Sequence, residues 1–171
     1  MIRVYPDRVL RRRAKEVEPE SPAARKAAQK LREVFSQVEA LGLAANQVGL
    51  LFRVILVRLG EEERILLNPE VIWRSEELEL ESEACLSVPG VEADLARPKE
   101  VRVRALSEDG KEVDLHLEGL EARLLLHEID HLDGVLYLDH LSAGERRRLL
   151  REYRKLRSRK EENRRLAHSE T

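Results

Sequence analysis

The sequence predicts an α+β fold in which antiparallel sheets pack around a central helix, with a further helix near each chain end. Three observations carry that prediction. Apolar residues recur at helical spacing in three stretches, near residues 22–41, 120–132 and beyond 142; they alternate with polar residues through the middle of the chain; and neither an internal repeat nor a long linker divides the 171 residues. At 42% apolar residues, that length suits one domain spanning residues 1–171.

Each element has a local reason. Ser21-Pro22 offers a helix start, and Leu31, Val34, Phe35 and Val38 then carry an apolar stripe as far as Leu41. Residues 42–49 are small and bounded by Gly42 and Gly49, which predicts a tight turn where backbone approaches a neighbour or a ligand. A short strand is expected over residues 52–59. Residues 65–67 and 71–81 are rich in strand formers interrupted by Asn68-Pro69, and Leu78-Glu79-Leu80-Glu81 alternates as a half-exposed strand does. Residues 101–106 and 113–117 alternate on either side of a turn-like stretch, which predicts a hairpin. From Leu120 to Leu132 the spacing is helical again, with Gly134 placed just past the end. A last helix opens at Ser142 with Glu145 as its capping-box partner and extends over residues 142–171.

Composition excludes some functions and leaves others open. Lys and Arg (31) nearly balance Asp and Glu (33), so the bulk protein has no strong field of either sign. The imbalance is local: residues 142–171 hold 11 Lys and Arg against 5 Asp and Glu, a charge of +6, while the rest holds 20 against 28, or −8. The basic residues pack densely along the last helix, and guanidinium groups pair well with phosphates, so this helix is a candidate for docking on a phosphate-bearing surface; a solvated amphipathic helix carried by Leu149, Leu150, Tyr153 and Leu156 is the plainer reading. The single cysteine, Cys85, excludes an intramolecular disulfide and any zinc site built on two thiolates. The first residues lack an apolar leader, and no run approaches the roughly 18–20 apolar residues of a membrane span. A soluble, cytoplasmic protein without a membrane partner is expected.

Chemistry concentrates first in His127-Glu128-Ile129-Asp130-His131. Two histidines four apart lie one helical turn from each other, so both imidazoles reach one ion while Glu128 sits beside them as a proton carrier. A third ligand is needed. In the metzincin pattern its position is taken by Tyr137, which disfavours that class, and His140 lies three residues too late. Glu145 or Glu152 would complete a thermolysin-like zincin peptidase with a glutamate ligand. Cys85 is the other candidate: a lone thiol is often just a small buried hydrophobe, but Glu83-Ala84-Cys85-Leu86-Ser87-Val88-Pro89-Gly90 ends a strand in a constrained, irregular segment, as a ligand loop does.

Gly42-Leu43-Ala44-Ala45-Asn46-Gln47, Glu83-Ala84-Cys85-Leu86-Ser87 and His127-Glu128-Ile129-Asp130-His131-Leu132-Asp133-Gly134 together resemble, in order, the three signature motifs of the peptide deformylases. The likeness runs from Tyr5-Pro6-Asp7 to about Leu141; Ala40 and Ala84 depart from it, standing where the family usually has glycine. The resemblance implies a hydrolase that removes the formyl group from N-formyl-methionyl nascent polypeptides. It implies one divalent metal held by Cys85, His127 and His131, with Fe(II) favoured in the cell and Zn(II), Ni(II) or Co(II) also suited to the ligands. Glu128 would shuttle protons, and Gln47 with the backbone N–H of Leu86 would steady the developing oxyanion. Leu41, Gly42, Leu120 and Leu124, with Leu86, would form the methionine slot, and Glu83 with Arg97 a buried pair behind the cysteine loop; plain core packing and solvated surface charge are the alternatives for these groups. A metal-stabilised binding module is the non-enzymatic alternative.

Overall fold

Strands β1 (Gly42–Ala44), β2 (Val54–Leu59), β3 (Glu62–Arg74), β6 (Glu100–Leu106) and β7 (Glu112–Glu118) form one sheet in the order β1-β2-β3-β6-β7, every neighbour antiparallel. The remaining two, β4 (Leu78–Cys85) and β5 (Val88–Pro98), pair with each other as a separate antiparallel hairpin. Helix α1 (Pro22–Phe35) precedes the sheet, α2 (Leu120–Leu132) follows it, and α3 (Ala143–Ser169) is the last described element. This computed structural model describes residues 1–169, so Glu170 and Thr171 of the expected terminal helix lie outside the described residues. The α+β expectation holds, and no helix among the described residues is long and apolar enough to cross a membrane.

Local chemistry accounts for most boundaries. Ser21 caps α1, its hydroxyl accepting the Ala24 N–H at 3.2 Å, with Pro22 at the first helical position. The helix stops at Phe35 rather than Leu41, because Gln37 and Val38 turn back onto the carbonyls of Val34 and Phe35 in a tightened last turn. Expected as a turn, residues 42–49 instead supply an edge strand, β1, and a 3-10 turn from Ala45 to Val48. The break expected at Asn68-Pro69 is absorbed within one strand: β3 shifts register between Leu67 and Glu70, Asn68 adopts φ 49°, and its side-chain amide bridges the N–H and carbonyl of Val17 at 2.9 and 2.8 Å. The true interruption falls between β3 and β4, where Ser75 donates to the carbonyls of Glu100 and Glu77.

Helix α2 is the centre of the molecule. Its Ala122, Leu125, Leu126, Ile129 and Leu132 pack on Ile55, Val57, Leu66, Val101 and Val103 of the large sheet. Each fully buried aliphatic side chain contributes about 1.5–3 kcal/mol, so this face fixes the helix firmly. The opposite, polar face of α2 meets the β4–β5 hairpin. Helix α3 is attached elsewhere: Leu149 and Tyr153 join Leu10, Val88, Val91, Tyr137 and Cys85 in a third apolar cluster. There the Tyr5 carbonyl accepts the Tyr153 hydroxyl at 2.6 Å and Arg157 Nη1 at 2.8 Å, while the Tyr5 N–H donates to the Ser87 carbonyl at 2.7 Å.

Candidate active site

Three ligand-bearing residues converge from two separate bodies. Cys85 ends β4, where a register shift after Ala84 turns the chain into β5; His127 and His131 project from successive turns of α2. Their ligand atoms lie within 4.8 Å of one another, and Cys85 Sγ is 3.3 Å from His131 Nε2. The Ser87 N–H and Gln47 Nε2 also approach the sulfur, at 3.4 and 3.7 Å. Glu83 accepts the His127 Nδ1–H at 2.7 Å, which leaves Nε2 of that ring as the acceptor facing the cluster. A thiolate and two imidazoles, one already oriented by a carboxylate, form a donor set that fits a divalent transition-metal ion.

Behind the cluster, Glu83 is enclosed by cations. Arg97 grips it with two parallel bonds, Nε to Oε1 at 2.9 Å and Nη2 to Oε2 at 2.7 Å, and Arg123 Nη1 adds a third donor to Oε1 at 3.0 Å. Arg97 also reaches Asp130 at 2.8 Å, and Asp130 in turn pairs with His140 Nε2 at 2.9 Å. Burial alone would push the Glu83 carboxyl up, but Arg97 and His127 outweigh it and hold the group well below the carboxylate range. Cys85 behaves in the same sense: burial opposes ionisation, yet the imidazoles of His131 and His127 hold its thiol well below its ordinary value. Glu128 goes the other way. Burial raises its carboxyl, only partly countered by the two histidines, and its Oε2 is buried with no hydrogen-bond partner.

One groove of about 420 Å³ collects these groups, lined by Leu41, Gly42, Gln47, Cys85, Leu86, Leu120, Leu124, His127 and Glu128 among others. Leu41 and Leu120 are exposed on its rim, so they are not core residues. Gly42 has no room for a side chain: a Cβ there would sit 2.8 Å from Leu124 Cδ1 and 2.9 Å from Glu128 Oε2. Gln47 is buried, its Oε1 accepting the Ala44 N–H at 2.9 Å and its Nε2 donating to Ser87 Oγ at 3.0 Å. Ala40 and Ala84 both line the groove. Glu145 and Glu152 lie instead with Glu92 and Asp94 in a separate cleft between α3 and β5, away from the histidines. Sequence reasoning missed Arg123, Asp130 and Ser87 as partners in the site; no local pattern marks Arg123, whose helix also carries Glu121, Glu128 and Asp130.

A buried carboxylate with a free oxygen, set beside a thiolate and two imidazoles on the floor of an apolar groove, is equipment for splitting an amide with water. The fold and site together therefore define a metal-dependent hydrolase. Comparison with known proteins is more specific: the family model described as polypeptide deformylase matches residues 1–147. A peptide deformylase of Natranaerobius thermophilus is 42% identical over 139 residues, covering 81% of this chain and 89% of that one. Among solved structures, the peptide deformylase of Thermus thermophilus matches with a TM-score of 0.81 at 38% identity over 94% of this chain and 97% of its own. The Legionella pneumophila enzyme gives 0.86 at 32% identity, covering 94% and 96%. The chain belongs to the polypeptide deformylase family.

Proposed function

We propose that the chain hydrolyses the N-formyl group of formyl-methionyl nascent polypeptides, releasing formate and a free amino terminus, as one catalytic domain over residues 1–171. The observation that carries this reading is the unpartnered Glu128 Oε2 beside the Cys85, His127 and His131 cluster in the groove. Cys85, His127 and His131 would hold one divalent ion. When bound, such an ion supplies Lewis acidity, polarising an oxygen ligand and lowering the pKa of water. Glu128 takes a proton from the attacking water and returns it to the departing amine nitrogen; a carboxyl lifted by burial is suited to both transfers. Gln47 Nε2 and the Leu86 backbone N–H donate to the developing oxyanion, where one well-aimed donor is typically worth about 3–4 kcal/mol.

Specificity follows from the groove. A formyl carbon bears only hydrogen, so a cleft closed around Gly42 and Glu128 admits it and rejects larger acyl groups. Leu41, Leu86, Leu120 and Leu124 give the methionine side chain an apolar slot, and Glu83 with Arg97 steadies His127 and the cysteine strand. We assign Fe(II) as the metal in the cell, with Zn(II), Ni(II) and Co(II) as workable substitutes for a thiolate and two imidazoles. A cytoplasmic setting would suit both an oxidisable Fe(II) ion and the lone thiol.

Residues 142–171 are the proposed ribosome contact. Arg147, Arg151, Arg154 and Lys155 lie together on the outward side of α3, and none has an ion-pair partner among the described residues. Unpaired guanidinium groups at that density favour a phosphate backbone and would raise the local concentration of emerging chains. The deciding experiment is anaerobic purification with elemental analysis, followed by formate release from formyl-Met peptides. One bound divalent ion and stoichiometric formate are expected; metal binding without cleavage would leave a binding module instead.

A further inference from the structure

The ligand set is divided between two bodies. The thiolate rides on the β4–β5 hairpin and both imidazoles ride on α2, so the spacing of the site depends on how that hairpin docks against that helix. Apolar packing fixes α2 to the other sheet and the hairpin to α3, which leaves the register of the hairpin on α2 itself to polar contacts.

Arg123 makes the most of these. It is buried, 5% exposed, and stands one helical turn before His127. Its Nη1 donates to the Leu95 carbonyl of β5 at 2.8 Å and to Glu83 Oε1 of β4 at 3.0 Å, and its Nη2 donates to the Glu79 carbonyl of β4 at 2.8 Å. One guanidinium thus ties the helix to both strands of the hairpin and to the carboxylate that orients His127. A planar fork with fixed donor directions can do this; a single ammonium cannot satisfy three acceptors on two strands in the same way. Glu83 and Asp130 are two carboxylates, and Arg97 and Arg123 are the two guanidinium groups paired with them, alongside the imidazoles of His127 and His140.

We propose that Arg123 is a positioning residue for the metal centre: by clamping Glu79, Leu95 and Glu83 it sets the distance between the Cys85 sulfur and the His127 ring and aims Glu83 Oε2 at His127 Nδ1. It acts on the reaction through those two ligands. The inference deepens the deformylase reading, but metal retention tests it separately from catalysis. Because Arg123 also lines the groove, the competing role is a direct contact with the peptide.

The test uses the full chain loaded with Co(II), comparing the parent with Arg123→Leu and Arg123→Lys. Release of Co(II) to a chelator, the thiolate-to-cobalt absorption band, and kcat and KM on a formyl-Met peptide are measured. Arg123→Leu is expected to release Co(II) about 10-fold or more faster, the usual scale for losing an outer partner of a ligand, to weaken or shift the thiolate band, and to lower kcat with KM changed less than about twofold. Arg123→Lys restores charge without the fork, so its release rate should fall between the other two. Unchanged release and band in a folded Arg123→Leu protein, with the loss confined to KM, would overturn the proposal in favour of a peptide contact. Should the leucine variant fail to fold, the lysine variant decides: parental release and band in it refute the clamp. A parent that binds Co(II) but cleaves no formyl peptide would sink the activity assignment while leaving the clamp to be judged on release and band alone.

Discussion

Helices α2 and α3 both carry arginines, yet the two sets do opposite work. Arg123 of α2 is buried with every contact made to protein: two carbonyls and a carboxylate. On α3, Arg147, Arg151 and Arg154 are exposed and have no ion pair among the described residues. Breaking a buried pair strands a charge and costs about 3–5 kcal/mol, whereas an exposed ion pair is worth about 0–1 kcal/mol. The same side chain therefore fixes geometry in one helix and supplies only a screened field in the other. Burial, not residue type, decides which.

The sharpest way to stress the contrast is within α2 itself. Glu128→Gln keeps the shape and removes the proton carrier, so it should retain metal while lowering kcat by about 10²–10⁴-fold, the range of general acid–base catalysis; near-parental formate release would remove Glu128 from its role. Glu83→Gln takes the charge from the centre of the buried network and leaves Arg97 with Asp130 alone and Arg123 with no carboxylate partner. Chemical denaturation should show a loss of about 3–5 kcal/mol, and a loss below about 1 kcal/mol would mean that the network behaves like a surface one. Gly42→Ala forces a methyl against Leu124 and Glu128 and should cost about 1–3 kcal/mol in stability by overpacking, with a further drop in turnover; unchanged kinetics would show that Glu128 moves aside freely.

Changes on α3 should be smaller for the fold and visible only with a partner. Arg151→Gln with Arg154→Gln should move stability by no more than about 0.5 kcal/mol per site. The salt slope of ribosome association should fall by about one for each phosphate that is no longer neutralised. An unchanged slope would leave α3 without a docking role. Smallest in equilibrium terms is the metal exchange: iron-loaded protein is expected to lose activity in air faster than nickel-loaded protein, because Fe(II) and the Cys85 thiolate are both oxidisable. Equal lifetimes in a timed assay would contradict that.

How much of this was legible beforehand follows the same division between local and distant causes. The span of α2, the β6–β7 hairpin and the Ser142 start of α3 rest on local periodicity and capping, and they appear as expected. Strand β5 was not read at all, since Pro89, Gly90 and Pro98 interrupt its pattern while pairing with β4 restores it. Spacing alone supplied two imidazoles; the family resemblance put Cys85 ahead of Glu145 and Glu152 as third ligand, and in the fold the sulfur lies with the histidines while the two glutamates lie across another cleft. Arg123 was silent in sequence because its three acceptors lie 28 to 44 residues away. Chemistry carried within one turn of helix can be read from a string of letters; chemistry assembled across a hairpin cannot.

The Tyr5 carbonyl gives the molecule a schedule. Its two donors, Tyr153 and Arg157, arrive 148 and 152 residues later in the chain, while Tyr5 itself is bonded to Ser87, two residues past the cysteine. At the usual pace of translation, about 3–14 s separate the making of Cys85 from the making of Tyr153. Throughout that interval the Tyr5 carbonyl lacks both of these donors. Segments about 150 residues apart meet at one oxygen atom, so the latch closes only after Tyr153 and Arg157 have been made.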